Sequence, residues 1–378
     1  MDLFASGCLV RDKARFKDRF CGVCIGLPFF AELTGAGLSL PQSHFQMEGI
    51  PLHSSMIAFI LLLADLKIRK KILVYALLVI IYFLLCLFQD FSRALLALQS
   101  VFFLFFYFIL QSLNHSRVRN IGLWAISALL LFGAAHIISI GMSLFTSFFA
   151  VVYGISSFWG LIIYQSHLSY PLVLIFGLWL SHSYPSKLGR YSSIFLAIVL
   201  ILELLLFRRA ALVVLLVYLV AYRPKLLLLM VIPVILMLGT YASDLIATAR
   251  ERFIFARGNA WQHSIDIFSG WIILLFGNGL NNYSHNYYLH TLTTHGLLYS
   301  ALIYSIVAGI ILKFVRQVDY SFRASLFIFT VVMVDWNVNA NLYQPYYSTM
   351  LALALVIIGN DYSLNKKIWL KNNDPKLV

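Results

Sequence analysis

The chain has 378 residues, of which 61% are hydrophobic and only 11% are charged. A soluble domain carries about 25% charged residues, so this composition excludes a soluble globular protein and indicates a polytopic membrane protein. The formal net charge of +13 would suggest a nucleic-acid partner in a soluble protein. Lys and Arg concentrate on the cytosolic side of membrane proteins, and this bias explains most of the excess, so nucleic acid is not expected as a partner.

Apolar segments close to the length of a membrane-crossing helix alternate with short basic stretches along the chain. The pattern predicts an all-α protein with twelve spans, both termini in the cytosol, and one membrane-embedded domain over residues 1–378. The predicted spans are 21–40, 52–66, 72–88, 94–112, 121–141, 170–182, 191–206, 210–222, 226–241, 296–312, 322–336 and 346–358.

Two segments do not fit a simple crossing. Residues 143–169 contain no Lys or Arg and are rich in aromatic residues, so we interpret them as an outer interfacial or re-entrant segment. Residues 242–295, between the ninth and tenth spans, form the only long polar segment and are predicted to stay outside. This outer loop is therefore the expected location of a functional site.

Cations on the outer side are unusual, and in this chain all six of them are arginines. Arg208 and Arg209 cap a tight hairpin, while Arg250, Arg252 and Arg257 belong to the outer loop; the sixth is Arg93. A guanidinium group offers a planar fork of donors that matches phosphate or carboxylate, which indicates an anion-binding site. Alternatively, the hairpin arginines bind lipid headgroups or pair with Glu203, and Arg250 and Arg252 form a solvated patch.

The outer loop also contains a predicted helix and a candidate base. Thr248 has capping-box spacing to Glu251, so a helix is predicted from Thr248 to about Ile267, with Trp261 and Ile265 on one face. His285, followed by Asn286, precedes a membrane entry on the same surface as the arginines, and imidazole can accept a proton near neutral pH. His290 and His295 are interpreted as structural.

At these residues the chain resembles the O-antigen ligase/polymerase superfamily, whose members use lipid-linked glycans at the outer face of the bacterial inner membrane. The resemblance rests on Arg209-Ala210, on Arg257 separated by three residues from the large apolar Trp261, and on His285-Asn286 followed by nine residues and Gly296, with Tyr299 just beyond. It covers the chain from about Tyr170 onward. Phe207-Arg208 departs from the usual pattern, which leaves open whether Arg208 or Arg209 is the matching residue.

The resemblance implies a metal-independent glycosyltransferase without a cofactor. A glycan would pass from undecaprenyl pyrophosphate to a sugar hydroxyl in the periplasm, with the loop 242–295 as the catalytic loop. Arg209, Arg257 and His285 would be catalytic, and Arg208, Arg250, Arg252, Asn286 and Trp261 would bind the pyrophosphate or glycan. Membrane lipids and either lipid A-core or a second lipid-linked glycan would be the other partners.

Three functions remain open at this point. An O-antigen ligase and a polymerase share the same donor, and the absence of an Arg-x10-Gly pattern beyond Arg209 and Arg257 favours the ligase. A transporter would need broken helices and ionisable residues at mid-membrane, for which Glu32, Glu203 and Asp335 are the candidates. Cys21 and Cys24 have CxxC spacing but no partner pair, so we interpret them as small apolar filler.

Overall fold

A computed structural model describes part of the chain, mainly as helix. The described residues are 15–27, 30–34, 37–39, 50–66, 70–87, 91–144, 155–158, 161–164, 258–266, 270–278, 286–319 and 345–373, with isolated positions at 225, 326, 328, 331 and 332. All statements below concern these residues.

Helices account for most of the described chain. We label them α1 (15–26), α2 (Ser55–Leu63), α3 (Lys70–Leu87), α4 (Phe91–Ser112), α5 (His115–Leu144), α6 (Gly258–Asp266), α7 (Trp271–Phe276), α8 (Tyr287–Gln317) and α9 (Pro345–Asn373). Within the described part, α8 and residues Tyr347–Leu364 of α9 are long and apolar enough to cross a membrane. The helical class is confirmed to this extent, and the count of twelve spans stays a prediction.

Five short strands accompany the helices and were not predicted. The strands β1 (Phe30–Thr34), β2 (Gly37–Ser39) and β3 (Ile50–His53) form an antiparallel sheet in the order β2-β1-β3. The strands β4 (Ile155–Phe158) and β5 (Leu161–Tyr164) form an antiparallel hairpin in which Phe158 faces Leu161. This hairpin reverses the chain inside the aromatic segment 143–169, which agrees with a segment that does not cross as a single helix.

The first two predicted spans are wrong as continuous helices. Within span 21–40 the helix α1 ends at Gly26 and β1 begins at Phe30. Within span 52–66 the strand β3 precedes α2, whose nine residues extend only about 14 Å. In the first span the sequence supplies the cause, because Pro28 lacks the backbone N–H that a helix interior needs and disfavours helix in the residue before it. In the second span, Leu52 and His53 are instead paired with β1 in the sheet.

The core is built around α9. Every residue from 347 to 359 is buried, so this stretch is surrounded by the other parts of the protein. α4 contributes the largest neighbouring side chains, including the buried Phe103, Phe106 and Tyr107. A helix that is apolar on all sides is expected in this central position.

Specific contacts fix the relative directions of the helices. Tyr299 on α8 donates a hydrogen bond to the carbonyl of Ala97 near the start of α4 (3.0 Å), and Lys313 donates to Gln111 near its end (2.7 Å). The two helices therefore run parallel. α1 and α5 are also parallel, since Arg117 pairs with Asp18 (2.8 Å) and Gly26 lies against Ala125 one to two turns further along.

One end of the molecule gathers residues from three separate basic segments. Arg117 pairs with Asp18 and Asp65, and Lys17 also pairs with Asp65 at 2.8 Å; we call these four residues the Arg117 cluster. Arg117 donates hydrogen bonds to Asp18, which has the largest effect, and to Asp65, and these bonds raise the pKa of Arg117 despite its burial. Burial acts to raise the pKa of Asp65, which lies beyond the end of α2, but hydrogen bonds from Arg117 and Lys17 outweigh it and lower this pKa.

Candidate functional site

The described residues include two of the predicted site residues, Asn286 and Trp261. Arg208, Arg209, Arg250, Arg252, Arg257 and His285 lie outside the described residues. Whether these six side chains meet is therefore still a prediction. The structure does define the two helices that follow Arg257 and His285 in sequence, and the junction that joins the outer loop to α8.

Asn286 is the N-cap of α8. Its Oδ1 accepts a hydrogen bond from the backbone N–H of Leu289 at 3.0 Å, and its backbone is extended (φ −139°). The side chain is buried. Asn is among the residues that best satisfy the free N–H groups at a helix start, so Asn286 has a clear structural role directly after His285.

α8 contains a sharp kink at Gly296, where φ is +79°. The kink separates a short helix over residues 287–295 from a long one over 297–317, which spans about 31 Å and is long enough to cross the bilayer core. The kink removes the backbone N–H donors of some carbonyls in the preceding turn, so these carbonyls need other hydrogen-bond donors. Asn278 donates its N–H to the carbonyl of Thr293 (2.9 Å), and the Tyr82 hydroxyl donates to that of His295 (3.3 Å).

Two glycines make the close contact between the outer loop and this kink. Gly277 ends α7 with φ +74°, and a Cβ added to it would collide with the backbone of Thr294 and Gly296. A Cβ added to Gly296 would collide with the backbone of Gly277 and Leu275. Both positions therefore require glycine for conformation and for space. The chain at Gly277 and Asn278 therefore returns the outer loop to the start of the long helix.

An aromatic cluster supports the kink from the side of α3 and α4. The rings of Tyr82 and Tyr299 stack with their centroids 4.0 Å apart, and the Tyr82 hydroxyl lies 3.2 Å from Nδ1 of His295. Tyr299 is buried and anchored to Ala97, as described above. His290 and His295 are both buried, which agrees with their interpretation as structural residues.

α6 is the described part of the helix predicted from Thr248 to about Ile267. It covers Gly258–Asp266 and contacts α8, with Ser264 buried. Trp261 and Ile265 lie one turn apart on its exposed face, as predicted. The carboxylate of Asp266 accepts a hydrogen bond from Gln262 at 2.8 Å. Trp261 is thus available to a ligand at the loop surface.

The described residues contain no group of three His, Cys, Asp or Glu side chains that could hold a metal ion. The expectation of a metal-independent site stays a prediction, because most of its residues lie elsewhere in the chain. Cys21 and Cys24 are buried, unbonded thiols on α1, in agreement with their interpretation as apolar filler.

Neither a scan against known protein-family models nor a search of curated proteins finds a match for this chain. The sequence alone does not reveal the contact between Gly277 and Gly296 or the role of Tyr82. The G-N-G turn was a usable signal for Gly277, whereas Tyr82 meets His295 across 213 residues, which a single sequence does not reveal.

Proposed function

We propose that this protein transfers a glycan from undecaprenyl pyrophosphate to an acceptor sugar hydroxyl at the periplasmic face of a bacterial inner membrane. It belongs, in this proposal, with the O-antigen ligases, and the acceptor is lipid A-core. Arg209 and Arg257 bind the pyrophosphate and His285 acts on the acceptor hydroxyl. Arg208, Arg250, Arg252, Asn286 and Trp261 line the donor and glycan site.

The observation that carries this proposal is the contact between Gly277 and Gly296. Gly296 is the last residue of the loop-closing pattern on which the resemblance rests. This position needs glycine for two separate physical reasons, its backbone conformation and the lack of space for a Cβ. Asn286, the second residue of the same pattern, caps the helix that leads to the kink. Two of the pattern's three fixed positions therefore have structural roles where the predicted catalytic loop joins the long helix, as a loop-closing pattern requires.

The helix directions give separate support to the proposed topology. The charge pattern assigns spans 94–112, 296–312 and 346–358 to the inward direction and span 121–141 to the outward direction. α4 and α8 run parallel, and Asp361 near the inner part of α9 lies 3.1 Å from His115 at the start of α5. These contacts join segments that the topology assigns to the same side. The kink at Gly296 would then lie at the outer side.

The proposed chemistry balances without a metal. The bond between the anomeric carbon and the pyrophosphate oxygen breaks, and undecaprenyl pyrophosphate leaves with the bonding electrons. A bond forms from the acceptor oxygen to the anomeric carbon, and His285 takes the hydroxyl proton. The guanidinium groups stabilise the charge that grows on the leaving group, an effect worth about 100- to 1,000-fold in rate for one donor of this kind.

A polymerase is the second candidate, because it would use the same donor and the same residues. The transporter receives limited support from the interrupted helices α1 and α2 and from the buried His53 beside them. Of its three candidate carboxylates, only Glu32 lies on a described element, the strand β1. No described observation favours it over the transferase.

A deletion strain tests the proposed function and separates its alternatives. Core lipopolysaccharide without any O-chain, with polymer retained on its lipid carrier, would support the ligase. Core carrying one repeat unit would instead identify a polymerase. An unchanged lipopolysaccharide ladder, from a strain that makes O-chain, would contradict both.

Complementation of that strain tests the site. Arg257→Ala or His285→Ala should fail to restore the surface glycan while reaching the wild-type protein level in the membrane. Restoration of a normal ladder by either variant would remove that residue from the proposed site.

A further inference from the structure

We propose that α7 and the first residues of the long α8 helix form a lipid-docking surface, which seats the outer loop on the bilayer. Its five residues are large, apolar and exposed: Trp271 (80%), Ile272 (76%), Phe276 (52%), Leu297 (45%) and Leu298 (58%). We call these five residues the α7 surface. Its occupant is the acyl-chain and headgroup boundary of the leaflet in which the long helix begins.

The position of α7 along the membrane normal follows from its attachment. Gly277, the residue after α7, packs against Gly296, and the long helix starts at the next residue. The hydrogen bond from Asn278 to Thr293 holds the same junction. If the long helix crosses a bilayer, α7 therefore lies at the level where that helix enters the apolar layer.

The composition and length of α7 suit the membrane interface and not the bilayer core. Its six residues extend only about 9 Å, so α7 cannot cross a membrane. Residues 270–278 contain no charged side chain, and Ile273, Leu274 and Leu275 are only half-buried. A short helix with exposed Trp, Ile and Phe side chains is suited to the interface, where the indole ring favours the headgroup region.

Continuity of the surface identifies lipid as the occupant. Leu297 and Leu298 open an apolar helix of membrane-spanning length, and their exposed side chains belong to the surface that such a helix presents to acyl chains. The Gly277–Gly296 contact brings α7, with its exposed Trp271, Ile272 and Phe276, next to the residues that begin this helix. The proposal requires that α8 crosses a membrane, and it does not depend on the transferase activity.

Spin-label accessibility tests this surface in a reconstituted protein. The four cysteines are replaced by alanine, and single cysteines are introduced by Trp271→Cys, Ile272→Cys and Phe276→Cys. Each carries a nitroxide in vesicles of phosphatidylethanolamine with a minority of phosphatidylglycerol. Leu298→Cys is the lipid-facing reference, and the exposed Gln262→Cys on α6 is the control for water.

We expect the nitroxide to collide several-fold more often with oxygen than with a water-soluble nickel chelate at all three α7 positions, as at Leu298. The ratio should be reversed at Gln262. Nickel-dominated collisions at α7 would mean that water covers the surface, and low values for both reagents would mean that protein covers it. Either result would overturn the proposal.

A second measurement keeps the buried Cys21 and Cys24 intact. Fluorescence quenching by brominated lipids is compared between the natural chain and Trp271→Phe in the same vesicles. The variant should lose a strongly quenched component of the emission. If both proteins are quenched equally, Trp271 does not contact lipid and the proposal fails.

Discussion

Gly296 is subject to two constraints that no other residue type can satisfy together. Its φ of +79° lies in the left-handed region, and its α-carbon faces the backbone of Leu275 and Gly277. From the sequence alone, His285, Asn286 and Gly296 stood out as a pattern without a physical cause. The structure supplies a cause for two of them: Asn286 caps the helix at Leu289, and Gly296 packs against Gly277, a contact with the preceding loop that the sequence does not reveal.

Replacement of Gly296 by alanine should destabilise the protein because it adds a Cβ to a left-handed, tightly packed position. A backbone with φ +79° and ψ 177° is adopted almost only by glycine and costs another residue about 1–3 kcal/mol, and the collision with backbone adds to this. Thermal unfolding of the purified protein in detergent should therefore show a lower Tm for Gly296→Ala.

Gly309→Ala is the matched control on the same helix, since a Cβ there meets nothing within 4 Å. Alanine favours a helix interior over glycine by up to about 1 kcal/mol, so this variant should keep or raise the Tm. Equal Tm values for the two variants would contradict the role assigned to the kink.

Among the secondary-structure elements, α3, α4, α5, α8 and α9 matched their predicted spans because each is a long apolar segment ended by charge. α1 and α2 did not, because hydropathy registers neither Pro28 in the first span nor the pairing of β3 with β1 that takes the start of the second. The missed feature of α1 was a small-residue pattern, Gly22 and Gly26. A Cβ at either glycine would meet the backbone of α5 at Ile121 or Ala125, a close approach typical of GxxxG packing in membranes.

Gly26→Leu should separate α1 from α5, because the backbone of Ala125 has no rotamer with which to yield. Overpacking of this kind costs about 1–3 kcal/mol, and a lower Tm in detergent is the expected result. Phe16→Leu, at an exposed position of the same helix, should leave the Tm close to that of the natural protein. A Gly26→Leu variant that is as stable as Phe16→Leu would show that the close packing of α1 on α5 is unimportant.

At the scale of the whole molecule, two groups of polar contacts in the described part of the chain lie toward opposite ends of α8. The Arg117 cluster and the pair Lys313–Gln111 join segments that the charge pattern assigns to the cytosol. The Gly277–Gly296 junction and the tyrosine cluster lie at the other end of α8. The charge pattern places these basic segments on one side, and the contacts of the Arg117 cluster agree with that grouping, while the side of the membrane stays a prediction. The charge pattern could not predict the small sheets or the pairing between distant tyrosines, which depend on tertiary contacts.

Labelling of intact cells tests the sidedness of these two ends. In a cysteine-free background, Gln262→Cys should react with a membrane-impermeant maleimide, because α6 belongs to the outer loop. Lys313→Cys should react only after the membrane is opened, since it lies at the end that carries the basic segments. Reaction at Lys313→Cys in intact cells, with protection at Gln262→Cys, would mean that the topology is inverted.

The most direct test of the central claim is the rate of glycan transfer by the purified protein. Undecaprenyl-pyrophosphate-linked glycan and lipid A-core are supplied in vesicles with a metal chelator present. The natural protein should transfer glycan, His285→Ala and Arg257→Ala should each lose about 100- to 1,000-fold in rate, and Arg209→Lys should be impaired because lysine lacks the planar fork. Transfer at the natural rate by all three variants, or strong inhibition by the chelator, would contradict an outer arginine–histidine site that works without metal.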